Sequence, residues 1–149
     1  MFANNFTVIT FIVCLVLTLT QTFAEEYLFG GFLMQSFGSW FKIPVIAIIL
    51  QSVLFILAHQ QYDAVGLVAV FAAAFVYGIV TQYTKGLEAS SAMHFANNYS
   101  IIFASALTLE TLEIAPSVMD VVITIALLLI TMAIIIFMDY RFNWFGLKK

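Results

Sequence analysis

The sequence has few charged side chains: 9% of its 149 residues are Asp, Glu, Lys or Arg, and 64% are hydrophobic. Soluble domains carry about 25% charged residues, so this chain cannot cover its surface with polar groups, and lipid is its expected solvent. The few basic residues are scattered and cannot form a phosphate-binding face, which argues against nucleic acid as a partner. Cys14 is the only cysteine, so no intrachain disulfide forms.

Long apolar stretches fill most of the chain and predict an all-α, polytopic transmembrane bundle of about six membrane helices, one of them short. The length suits a single membrane-embedded domain over residues 1–149. The expected helices cover residues 6–23, 24–37, 44–59, 64–83, 88–105 and 117–138. In the fourth, Ala74 and Gly78 form a small-xxx-small pair that allows another helix to approach closely.

Basic residues predict the orientation of the chain in the bilayer. If Arg141, Lys148 and Lys149 lie in the cytoplasm, counting back through the helices places Lys42 and Lys85 on the same side. The positive-inside rule therefore predicts an integral membrane protein with a cytoplasmic C-terminus.

The first apolar segment has two interpretations. An apolar core followed by Thr22-Phe23-Ala24 resembles a secretory signal peptide with a small-residue cleavage site. Residues 1–5 carry no positive charge, however, so a retained membrane helix is favoured over cleavage.

Glu25 and Glu26 are adjacent carboxylates with apolar sequence on both sides. Hydrocarbon does not solvate a carboxylate, so each must be neutralised, paired or exposed to a water-filled cavity. We expect both in the first turn of the short second helix, where a helix N-terminus favours negative charge. An intramembrane ionisable residue indicates a functional site, and a helix start in contact with headgroup water is the alternative.

The two histidines, His59 and His94, mark two further polar groups. Phe55 lies four residues before His59, and Asn98 lies four residues after His94, so each pair shares a helix face. Phe55 would then pack beneath His59, and His94 would project with Asn98 into one cavity, lined also by Glu25, Glu26 and His59. As an alternative, each histidine makes a structural hydrogen bond between membrane helices.

These residue types suit hydrolysis of a peptide bond. A glutamate can take a proton from water as a general base, and a histidine can orient that water. A second histidine and an asparagine amide can donate hydrogen bonds to the developing oxyanion. A transporter or channel subunit is a weaker interpretation, because the sequence shows neither an inverted repeat nor a continuous polar path.

This chemistry requires no cofactor, but zinc is a second option. Glu25, His59 and His94 together offer three ligands and leave one coordination position open. The His-Glu-x-x-His spacing of many zinc peptidases is absent from the sequence. The metal-free interpretation is therefore preferred.

Three motifs in order resemble the CPBP intramembrane protease family: Glu-Glu before an apolar helix, then Phe-x-x-x-His, then His-x-x-x-Asn. This family includes the type II CAAX prenyl endopeptidases and bacterial bacteriocin-processing or self-immunity proteins. The similarity covers approximately residues 22–102. It implies an intramembrane endopeptidase of the bacterial plasma membrane, acting on a peptide or membrane-anchored substrate.

The resemblance also implies roles for the site residues. Glu25 would activate water together with His59, and Glu26 would support the site. His94 and Asn98 would form the oxyanion hole.

Two features depart from the family pattern. The first motif usually reads Glu-Glu-x-x-x-Arg, and Gly30 stands in the place of that arginine. The absence of this arginine favours the alternative function, that of a non-catalytic immunity or regulatory protein that acts by binding. Family members also commonly carry more helices before this motif, so a second copy or a membrane partner is expected to complete the cavity.

Helix geometry predicts that the two histidines lie at different depths in the bilayer. The third and fifth helices run parallel in the expected topology, and His59 lies farther past Lys42 than His94 lies past Lys85. At 1.5 Å per residue the difference in depth is about 12 Å. Helix tilt or a shifted helix start would have to absorb it if both histidines share one site.

Overall fold

The computed structural model describes residues 8–108 and 116–147, and all of its regular elements are helical. The elements are α1 (Val8–Glu26), a π-helical segment (Tyr27–Leu33), α2 (Met34–Phe41), α3 (Pro44–Leu57), α4 (Ala64–Thr84), α5 (Glu88–Thr108) and α6 (Val118–Phe142). The all-α fold class is confirmed.

The first three elements form one uninterrupted helix. Glu26 and Met34, at the two ends of the π-helical segment, both keep right-handed helical dihedral angles. The predicted start of a new helix at Ala24 is therefore wrong, and the glutamates do not lie at a helix N-terminus. Gly30 and Gly31 widen the helix into a π-helical stretch instead of ending it. The described residues thus form five continuous helices, and the count of six is not confirmed.

Among the described residues, three helices are long and apolar enough to cross a membrane: Thr10–Phe41, Ala64–Thr84 and Val118–Phe142. Helix α3 is apolar but has only 14 residues. At 1.5 Å per residue it reaches about 21 Å, less than the bilayer core of about 30 Å.

The helix ends that carry basic residues lie together. Lys42 and Gln82 line the same cavity, which brings the end of α2 next to the end of α4. The hydroxyl of Tyr83 donates to Oδ2 of Asp139 at 3.0 Å, which joins the end of α4 to the end of α6. Lys42, Lys85 and Arg141 thus share one end of the bundle, as the topology predicts. Lys148 and Lys149 fall outside the described residues.

Helix α4 is central, because it packs against α3, α5, α6 and the π-helical segment. Its side chains Tyr77 and Val80 are among the most deeply buried in the described residues. The small pair on α4 faces α3 as predicted: Nε2 of Gln51 donates to the carbonyl oxygen of Ala74 at 2.9 Å. Gly78 lies one turn farther along the same contact.

Gly78→Ala is expected to destabilise this contact. A Cβ at Gly78 would lie 2.9 Å from Nε2 of Gln51 and 3.0 Å from Cγ2 of Ile48, and overpacking of this kind costs about 1–3 kcal/mol. Gly38→Ala is the matched control, since the nearest atom to its added Cβ would be 4.0 Å away. We expect Gly78→Ala to lower the Tm in detergent and Gly38→Ala to leave it unchanged or higher, because alanine is the better helix former. Equal shifts in Tm would contradict the close α3–α4 approach.

Candidate functional site

Glu26 and His94 form a hydrogen-bonded pair in the interior, where α1 packs against α5. Nδ1 of His94 lies 3.0 Å from Oε1 of Glu26, and both side chains are at most 5% exposed. The pairing satisfies two groups that hydrocarbon would not solvate. A hydrogen on Nδ1 points at the carboxylate, which leaves Nε2 on the opposite edge of the ring.

Glu25 lies at that opposite edge. Its Oε2 is 3.6 Å from Nε2 of His94, and its side chain is 21% exposed. Nε2 of Gln21, one helical turn earlier, donates to Oε1 of Glu25 at 2.9 Å. Oε2 is buried and accepts no hydrogen bond from the described residues. One carboxylate oxygen is therefore fixed, while the other faces the imidazole unpaired.

Asn98 contacts the same imidazole nitrogen from within α5. Its Nδ2 lies 3.1 Å from Nε2 of His94, so the predicted sharing of a helix face is seen. With the hydrogen on Nδ1, Nε2 accepts this hydrogen bond; the tautomer follows from the neighbouring groups. Nδ2 of Asn97 in turn donates to Oδ1 of Asn98 at 3.3 Å. The amide is thus held with its donors beside Glu25 and His94.

Tyr77 of α4 is a neighbour of the site that the sequence analysis missed. Its ring stacks on His94 with centroids 4.7 Å apart and an interplanar angle of 20°. Its hydroxyl is buried and has no hydrogen-bond partner among the described residues. The stacking fixes the plane of the imidazole. A tyrosine inside an apolar helix is only weak evidence for a functional site, because most such rings pack in a core.

His59 lies apart from the glutamates. Helix α3 ends at Leu57, and His59 follows in the connection, with Nδ1 2.8 Å from the carbonyl oxygen of Phe55. The His59 ring stacks on the Phe55 ring with centroids 4.3 Å apart, as predicted. The Phe55 ring also contacts the His94 ring, with centroids 5.9 Å apart. The Phe55 ring therefore contacts both histidines.

Gly30 lies directly beside the carboxylate of Glu26. A Cβ at this position would be 3.5 Å from Oε2 of Glu26, 3.5 Å from Oγ1 of Thr81 and 3.4 Å from Cδ2 of Leu87. A side chain at position 30 would thus start within van der Waals contact of the acid. Among the described residues the ion-pair partner of Glu26 is His94 rather than an arginine.

The three ligands of the zinc alternative do not come together. Within residues 8–108 and 116–147, no group of three His, Cys, Asp or Glu side chains is placed to hold a metal ion. Glu25 and Glu26 face different nitrogens of one imidazole, and one metal ion binds only one of these. Among the described residues, the ring contacts of His59 are with Phe55 and Tyr62 rather than with that imidazole. In this arrangement the residues do not fit a zinc site.

Two cavities lie away from the cluster of Glu25, Glu26, His94 and Asn98. One of about 490 Å³ opens on the outer face of α1, next to Phe23 and Tyr27. The other, of about 240 Å³, lies between α2, α3 and α4 at the basic end of the bundle. Within the cluster, Glu26 and His94 are buried, and Glu25 is the more exposed of the two glutamates.

Comparison with curated proteins and with solved structures finds no similar protein. Residues 7–100 match the family described as type II CAAX prenyl endopeptidase Rce1-like. The match covers more than half of the chain and includes the two glutamates, both histidines and Asn98. With its apolar helices and this match, the chain is an integral membrane protein that belongs to the type II CAAX prenyl endopeptidase Rce1-like family, consistent with the wider CPBP group.

Proposed function

We propose that this protein is an intramembrane endopeptidase that hydrolyses a peptide bond of a peptide or a membrane-anchored protein. The observation that carries the proposal is the free Oε2 of Glu25, buried without a hydrogen bond and 3.6 Å from Nε2 of His94. Buried polar atoms without partners are rare in folded proteins, and a catalytic role is one of the explanations for them. A carboxylate oxygen in this position can act as a general base.

In the first step, Oε2 of Glu25 takes a proton from a water molecule whose oxygen attacks the carbonyl carbon of the peptide bond. The hydrogen bond from Gln21 to Oε1 orients the carboxylate so that Oε2 faces the reacting atoms. Water and substrate would enter beside Glu25, because Glu26 and His94 are enclosed.

This attack moves the electron pair of the carbonyl bond onto its oxygen, and in the second step the oxyanion re-forms the carbonyl while the carbon–nitrogen bond breaks. The amide of Asn98 would donate a hydrogen bond to the oxyanion, the role implied by the family resemblance, and its contact with Nε2 of His94 supports this role. The departing nitrogen receives the proton from Glu25, with Nε2 of His94 as the adjacent group able to relay it. Glu26 supports the site by holding Nδ1 of His94.

Glu25→Gln is expected to lower the rate of peptide cleavage by about 10²–10⁴-fold, the usual contribution of a general base. The amide keeps the size of the side chain but cannot accept the proton. Glu88→Gln, in the exposed first turn of α5, is the matched control and should leave the rate unchanged. Cleavage of a reconstituted substrate measures both, and normal cleavage by Glu25→Gln would remove the hydrolase proposal.

The two histidines should differ in their effect on catalysis. His94→Ala removes the ring that contacts both glutamates, and we expect a loss of about 10²–10³-fold in kcat. His59→Ala removes a ring whose contacts are with Phe55 and Tyr62, so a loss below about tenfold is expected. An equal loss in the two variants would mean that His59 reaches the acid pair during the reaction, as the family resemblance implies.

Chelation tests the metal-free form of this mechanism. We expect full activity after dialysis against EDTA, and no stoichiometric zinc in the purified protein. Loss of activity that zinc restores would show that the donor groups rearrange into a metal site.

A non-catalytic immunity or regulatory protein is the second candidate, and the glycine at position 30 favours it. A binding protein should keep its protective effect in the Glu25→Gln and His94→Ala variants. A Gly30→Arg variant that gains cleavage activity would show that the missing arginine limits catalysis, because position 30 adjoins Oε2 of Glu26.

A further inference from the structure

The cavity at the basic end of the bundle has a lining suited to an anion. Its polar residues are Gln35 of α2, Lys42 after α2 and Gln82 of α4, and its lining contains no acidic side chain. Met34 and Ala47 form an apolar part of the wall. The cavity therefore combines one positive charge and two amide groups with a short apolar surface.

These polar groups have no partners of their own. Within the described residues, the side chains of Lys42, Gln35 and Gln82 make no hydrogen bond or ion pair. Lys42 follows α2 in the left-handed conformation, with φ of 56°. The three side chains are consequently available to a ligand at no loss of internal contacts.

The position of the cavity corresponds to the membrane–water interface. Trp40 and Phe41, immediately before Lys42, are 72% and 48% exposed. Exposed tryptophan and aromatic side chains next to basic residues are typical of the headgroup level of a bilayer. Lys85 and Arg141 lie at the same end, where the phosphate groups of lipids would meet the protein.

We propose that this cavity, which we call the Lys42 cavity, binds the phosphate of an anionic phospholipid headgroup. Its volume of about 240 Å³ is below the 300–1,000 Å³ typical of sites for drug-sized ligands, which favours a small polar group such as a phosphate. Basic pockets between membrane helices are known to hold such headgroups. Lys42 supplies the charge, and the two amides supply hydrogen bonds.

Lipid retention measured by native mass spectrometry tests the proposal. The full chain is purified from bilayers containing equal amounts of phosphatidylglycerol and phosphatidylcholine, and retained lipid is counted. Lys42→Gln should lower phosphatidylglycerol retention about tenfold, the effect of losing one charged hydrogen bond. Lys85→Gln is the matched control, because this lysine also follows a helix in the left-handed conformation, with φ of 61°, but does not line the cavity.

A second variant keeps the positive charge of Lys42 and fills the Lys42 cavity. Gly38→Leu places an apolar side chain in the cavity and should abolish preferential retention of phosphatidylglycerol, provided that the Tm in detergent shows a folded protein. Gly38→Ala repeats the test with the smallest side chain. Equal losses for Lys42→Gln and Lys85→Gln would indicate general surface charge and overturn the proposal, as would unchanged retention.

The source of the phosphate is tested separately. Glycerol phosphate added to the lipid-free protein in detergent should bind weakly and should not protect it from thermal unfolding. Protection by glycerol phosphate that Lys42→Gln removes would identify a site for a free phosphate ester and overturn the assignment to lipid.

Discussion

The hydrogen bond between Glu26 and His94 is the interaction on which the interior of this protein depends. It joins the long first helix to α5, and each partner satisfies a polar group that lipid cannot solvate. Removal of one partner of a buried hydrogen bond costs about 1–3 kcal/mol, and more where the group left unsatisfied is charged. The stacking of Tyr77 on His94 adds α4 to the same contact. The positions of Glu25 and Asn98 around Nε2 follow from this fixed imidazole.

The π-helical segment after Glu26 connects this pair to α3. A π-helix has more residues in each turn than an α-helix, so it changes which side chains face inward. Here it buries Phe29, whose ring packs edge-on against Phe55 at 4.8 Å. Gly30 and Gly31 permit the wider turn and keep the space beside Glu26 free of side chains. The site is therefore organised by a local irregularity in one helix and by the aromatic contacts that it produces.

Long apolar stretches were enough to predict the helical class. Local spacing was enough to predict two contacts, the sharing of a face by His94 and Asn98 and the packing of Phe55 on His59. Each depends on residues one helical turn apart. The continuity of the first helix was not predicted, since the adjacent carboxylates Glu25 and Glu26 suit a helix N-terminus and the break was placed just before them, at Ala24. The separation of His59 depends on where α3 ends, a boundary that sequence patterns define poorly. Tyr77 was missed because its contact with His94 joins two helices.

Nitrogen-15 NMR of the imidazole rings tests the central claim most directly, because the chain has only two histidines and a His59→Ala variant assigns both. The account predicts that Nδ1 of His94 carries the hydrogen bonded to Glu26, and that Glu26→Gln shifts the His94 resonances while those of His59 stay in place. Unchanged His94 resonances in Glu26→Gln would contradict it, since the imidazole would then have no bond to this acid.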